Sequence, residues 1–208
     1  MKKEEKVLNY YVMCNKLKNI IRTGWLNWNV KRERLESVAE HVFGVQMLAL
    51  AINSEYNYDI DITKVIYMLA IHEIGETIIG DLTRFQISEE DKKKIEHNAV
   101  GKVLEPLKDK EYIKNLFIEF DEGKTKEAKF AYQCDKLECD LQSKLYDQEN
   151  CVNLKDQENN STKDHPLVKK LLDEGNSWSS MWLKFSQESY PYDENFKSIS
   201  DYATENEI

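Results

Sequence analysis

This sequence predicts an all-α fold, and three observations predict it. Apolar residues recur at three- and four-residue steps in one segment after another, and no stretch alternates with period two. Only seven glycines and three prolines punctuate 208 residues, too few breakers for a turn-rich β architecture. The length suits one well-cored domain, and 41% hydrophobic with 11% aromatic residues is a globular composition. The expected layout is a single domain over 1–208: a core of about residues 4–146, a polar loop over 147–164 and a C-terminal helix over 167–187.

The first helix is expected over about 4–22, where Val7, Leu8, Tyr11, Cys14, Leu17, Ile20 and Ile21 fall at helical spacing. Gly24 breaks it, and a polar-aromatic stretch with Trp25 and Trp28 follows. Ser37 opens a second helix to about Asn53, with Glu40 placed three residues on as a capping box requires. Val38, Val42, Val45, Ala49 and Ile52 line its apolar face, and His41 lies beside that face. The spacing of Val65, Leu69 and His72 predicts a third helix over about 62–78, ended by Gly80.

Ser88 starts a charged helix towards Leu104, bounded by Pro106, and a shorter one covers about 110–120. A long helix over about 126–146 carries Ala128, Phe130, Ala131, Cys134, Leu137, Leu141 and Leu145. Residues 147–164 read as a mobile polar loop. Leu171, Leu172, Trp178, Trp182 and Phe185 then fit one last helix, and the final dozen residues read as frayed.

Charge narrows the function classes. A net charge of −9 argues against a non-specific nucleic-acid or anionic-membrane surface, and leaves room for a nucleotide-sized ligand in a locally positive pocket. The four cysteines show no CxxC spacing and read as reduced thiols of a cytoplasmic protein. The charged start Met-Lys-Lys-Glu-Glu-Lys is followed by no secretory apolar core, and no run approaches the roughly 18 apolar residues of a membrane span.

The chemistry concentrates in Ala70-Ile-His-Glu-Ile-Gly-Glu-Thr-Ile-Ile-Gly-Asp81. On a continuous helix His72 and Glu76 would sit one above the other, with Glu73 beside them. Ionisable groups among isoleucines cost free energy unless they are paired or hold a metal. His41 and Asp135, on two other helices, could complete a mixed imidazole and carboxylate set suited to Mn²⁺, Co²⁺, Fe²⁺ or Zn²⁺. Bland readings compete: His41 as a satisfied core histidine, Asp135 in a salt bridge with Lys136 or Lys129, Asp140 as a decoy, and Arg22 as a helix cap. Trp25 and Trp28 could both be core aromatics, the preferred reading for Trp28, and His97 and His165 read as surface residues.

The order His41, His72-Glu73, Asp135 on separate helices resembles the HD-domain metal-dependent phosphohydrolases. Arg22-Thr-Gly-Trp25, Glu36-Ser-Val-Ala-Glu-His41, Gly75-Glu76, Gly80-Asp81-Leu82 and Cys134-Asp-Lys-Leu137 resemble the YfbR-like 5′-deoxynucleotidase branch. That resemblance implies a homodimeric enzyme with one divalent metal ion, which removes phosphate from deoxyribonucleoside 5′-monophosphates. It implies His41, His72, Glu73 and Asp135 as metal ligands. Glu76 would be the catalytic acid/base, Asp81 would help hold its water, Arg22 would contact phosphate, and Trp25 would pack on sugar or base.

The family's hallmark pair is His-Asp, and here it is His72-Glu73. The extra methylene carries the carboxylate about an ångström or more outward. Three rival readings follow: a family hydrolase acting on another phosphoester, a non-catalytic nucleotide binder in which Glu73 has spoiled hydrolysis, and a structural helical module. The second predicts nucleotide binding without phosphate release. The third predicts tolerance of His41→Ala and His72→Ala.

Overall fold

A computed structural model describes residues 1–83, 86–158 and 160–208; Asn159, within the polar stretch expected over 147–164, lies outside the described residues. Among the described residues there are eleven α-helices, and extended pairing is limited to one isolated antiparallel bridge, Ile21 to Ser37. The all-α expectation holds.

The residues divide into two compact units, one of 1–23 with 36–132 and one of 24–35 with 133–208. In the first unit, α1 (Lys3–Cys14) runs into a 3₁₀ turn at Asn15–Asn19, so the helix expected to about 22 stops early. The cause is tertiary. Ile20–Arg22 pairs with the approach to α3 (Val38–Tyr56) through Val38 N–H to Ile20 C=O at 2.8 Å and Arg22 N–H to Glu36 C=O at 3.1 Å. The capping box at Ser37 forms as expected: the Glu40 carboxylate accepts from Ser37 N–H at 2.9 Å, and Ser37 Oγ accepts from Glu40 N–H at 3.3 Å.

The helix expected over 62–78 is also interrupted. α4 (Ile62–Ile71) ends just before His72, tight turns cross 72–75, and α5 covers only Glu76–Ile79. Bonds of the i→i+3 type, such as Glu76 N–H to Glu73 C=O at 3.0 Å, wind this stretch more tightly than an α-helix. At Gly75 this turn lies close against α6 (Glu89–Leu104): a Cβ there would meet Val100 Cγ2 at 3.2 Å, and the valine would have to give by a few tenths of an ångström. α7 (Lys110–Glu122) completes the layer. Met68, Ile71, Val100, Leu104 and Phe117 form the shared core beneath the turn.

The chain enters the second unit within α2 (Thr23–Asn27) and, again, along α8 (Lys126–Gln148). Three further helices follow: α9 (Pro166–Asp173), α10 (Trp178–Ser189) and α11 (Glu194–Glu205). The single helix expected over 167–187 is therefore two, parted at Gly175 with φ of +87°. The frayed tail is instead α11, capped by Asp193, whose carboxylate accepts from Asn195 and Phe196 N–H, and anchored by buried Phe196. The described residues of the polar stretch 147–164 are pinned rather than loose: Gln157 donates to Trp28 C=O at 2.9 Å, and Asn160 and Thr162 are buried. Trp28 is 1% exposed, a core aromatic as expected.

Candidate metal centre

His41 is fully buried on the first turn of α3, where the Ser37 capping box fixes the start of the helix. His72 follows α4, and its Nδ1 lies 2.7 Å from Leu69 C=O. A carbonyl only accepts, so Nδ1 is the donor, which leaves Nε2 as the ring nitrogen able to ligate a metal. That Nε2 is 3.5 Å from Glu73 Oε1, and His41 Nε2 is 3.9 Å from the same oxygen. The two imidazole centroids are 5.5 Å apart, and Phe120 closes on His72 at 5.3 Å.

These donors fit a divalent transition ion. Tetrahedral ligands at about 2.1 Å from a metal lie about 3.4 Å from one another. The observed separations from Glu73 Oε1 to the two histidines are close to that, in a buried pocket whose tautomer is already set. Asp135 lies buried on α8 in the second unit, where Lys136 Nζ reaches its Oδ2 at 2.7 Å.

Beside the histidines, carboxylates crowd. Oxygens of Glu73, Glu76 and Glu96 lie within 4.8 Å of one another. Both oxygens of Glu76 are buried with no hydrogen-bond partner among the described residues. Burial above all, then the charges of Glu73 and Asp81, pushes Glu76 well above the ordinary carboxylate range; Arg22 and Lys92 oppose this only in part. Burial likewise raises Glu96, against the pull of Lys92 at 3.4 Å. A carboxyl group whose affinity for a proton is raised in this way is suited to exchanging one with water or with a leaving oxygen.

Asp81 follows Gly80, whose φ of +74° makes the turn that ends α5. Its carboxylate accepts from Thr23 N–H at 2.6 Å, and its carbonyl accepts from Thr23 Oγ1–H at 2.7 Å. Arg22, next to Thr23, reaches Glu73 Oε1 with Nη1 at 3.4 Å. The first unit therefore gathers His41, His72, Glu73, Glu76 and Arg22, with Asp81 tied to Thr23. Trp25 belongs to the second unit, where it is 3% exposed and lies edge-on to Tyr146 and Trp178.

Sequence reasoning missed Thr23 and Glu96. No local pattern marks Thr23, because its partner lies 58 residues away. Glu96 sits in a charged run that reads as a solvated helix face.

The family model of the HD domain matches residues 14–174. The chain belongs to the HD domain family. Among relatives of this HD domain, the 5′-deoxynucleotidase HDDC2 of Dictyostelium discoideum is 33% identical over 150 residues, 68% of this chain and 78% of that protein. The human 5′-deoxynucleotidase HDDC2 is 28% identical over 145 residues, 68% of each chain. The crystal structure of the PH0347 protein from Pyrococcus horikoshii superposes with a TM-score of 0.65 at 23% identity, covering 95% of this chain and 98% of that one, and shares the fold.

Proposed function

We propose that this chain is a metal-dependent phosphomonoesterase that removes phosphate from deoxyribonucleoside 5′-monophosphates, with all of residues 1–208 acting as one HD-type domain. The observation that carries the reading is the convergence of His41 Nε2, His72 Nε2 and Glu73 Oε1 beside the buried, unpartnered carboxyl of Glu76. Membership of the HD family and relatives named 5′-deoxynucleotidase supply the substrate class.

His41, His72 and Glu73 would hold the ion, with the buried carboxylate of Asp135 as fourth ligand from α8. When bound there, Mn²⁺, Co²⁺, Fe²⁺ or Zn²⁺ would supply Lewis acidity toward phosphate and water. Arg22 offers a planar fork to the remaining phosphate oxygens. Glu76 passes a proton between the attacking water and the leaving 5′-oxygen, and Asp81, held by Thr23, orients that water. Trp25 lines the sugar or base through whatever edge its aromatic cluster leaves, so its loss should raise KM and lower stability together.

The setting we propose is cytoplasmic, supported by four free cysteines. We also propose a homodimer. Phe43, Met47 and Leu50 form an exposed apolar stripe on α3, 65% exposed at Phe43, that such an assembly would cover. Among the described residues no helix is long and apolar enough to cross a membrane.

The test is phosphate release from a panel of deoxy- and ribonucleoside 5′-monophosphates, after chelation and re-addition of single divalent ions. Metal-restored release favouring the deoxy series supports the reading. Equal release from both series moves the substrate class elsewhere, and nucleotide binding without release would make this a binding protein.

A further inference from the structure

A glutamate in place of a shorter carboxylate poses a geometric problem. It adds a rotatable bond, so its carboxylate has more positions to occupy and more entropy to lose on settling at one of them. In this site something holds it. Glu73 Oε1 sits 3.4 Å from Arg22 Nη1, and the same oxygen faces His72 Nε2 at 3.5 Å and His41 Nε2 at 3.9 Å. Both side chains are largely buried, 14% exposed for Arg22 and 13% for Glu73, so the contact is poorly screened by solvent.

Arg22 is itself on a rigid footing. Its N–H donates to Glu36 C=O at 3.1 Å, Ile21 bridges to Ser37, and the next residue, Thr23, is bonded twice to Asp81. We propose that Arg22 is a positioning residue for Glu73, holding the longer carboxylate at the point between the two histidines where a metal ligand must lie. The proposal rests on the assignment of Glu73 as a metal ligand.

The chemistry favours this direction over competition for the oxygen. A carboxylate oxygen has two lone pairs, so it can bind a cation and accept an N–H bond together. Carboxylate ligands are commonly held by such an outer partner, and losing the partner costs about 10–100-fold in metal affinity. Guanidinium has five N–H donors in a planar fork, so one contact to Glu73 does not by itself exclude a phosphate contact. One arginine would then set the ligand and meet the substrate.

A double-mutant cycle tests it on the full chain, with Mn²⁺ affinity read by titration calorimetry or by the electron spin resonance of free Mn²⁺. Arg22→Gln should weaken Mn²⁺ binding about tenfold in the parent protein. With Glu73→Asp, whose carboxylate is too short to need the arginine, the same change should cost a much smaller factor. Arg22→Lys keeps the charge without the fork and should fall between, which carries the test should the glutamine variant fail to fold. Unchanged or tighter Mn²⁺ binding in Arg22→Gln, or an equal loss in both backgrounds, overturns the proposal. If the parent binds no Mn²⁺, the ligand assignment falls and this inference falls with it. If binding depends on His72 but not on Arg22, only the positioning role is lost.

Discussion

Replacing Glu76 with methionine should make the metal-free protein more stable while nearly silencing the enzyme. Glu76 is 2% exposed, and neither of its oxygens has a hydrogen-bond partner among the described residues. It also shares a 4.8 Å neighbourhood with Glu73 and Glu96. Leaving one buried polar group unsatisfied costs about 1–3 kcal/mol, and methionine fills similar space without polar oxygens. The expected gain is therefore about 1–3 kcal/mol, which for a chain of this size raises Tm by about 2–12 °C. Loss of a proton-transfer group should lower kcat by about 10²–10⁴, or about 2.7–5.4 kcal/mol of barrier. Urea or thermal unfolding of chelator-treated protein measures the first effect, and phosphate release with restored metal the second. A methionine variant less stable than the parent would mean that the buried carboxyl supports the fold. A kcat within tenfold of the parent would remove Glu76 from the chemistry.

Four further outcomes are expected. His72→Ala should abolish the rise in Tm on adding Mn²⁺, because a ligand set binds only the folded chain; a preserved rise would remove His72 from the site. Thr23→Val removes the hydroxyl bond to Asp81 and should lower kcat with little change in KM, whereas Thr23→Ser should restore it; equal effects of the two would show a packing role instead. Asp140 is buried and accepts from Ser186 and Tyr192, and burial raises it well above the ordinary carboxylate value. Its folded pKa exceeds its unfolded one, so its contribution to stability is full below about pH 4 and is lost as pH rises through the raised value. Denaturation across that range should show a flatter pH dependence in Asp140→Asn, and an unaltered slope would contradict the assignment. Met68→Ala, in the core under the site, should cost about 2–5 kcal/mol by urea unfolding, and a loss well below that would mean the core closes over the gap.

Much of this architecture was legible in the chain because its signals are local. The Ser37-Glu40 capping box places α3 and, with it, His41, and the apolar spacing of α4 leads straight to His72. The breaks were not legible, because they answer to distant partners. Gly75 is permissive in any sequence, and its close approach to Val100 on α6, beside the tight turn between Glu73 and Glu76, is set by a partner 25 residues away. Ile20 and Ile21 fit helical spacing, yet their backbone is spent on Glu36–Val38. α11 was masked by its polar composition, although Asp193 three residues before Phe196 was a readable cap. Trp25 shows how a motif residue can also be core: its neighbours Tyr146 and Trp178 come from far along the chain.

The most direct test of the account compares phosphate release from a deoxyribonucleoside 5′-monophosphate by the parent and by His72→Ala, both shown to be folded, with and without Mn²⁺. The account predicts release by the parent only when metal is present, and none above background from the variant under either condition. Release by the variant at the parent's rate, or no release by the folded parent with any divalent ion, would contradict it.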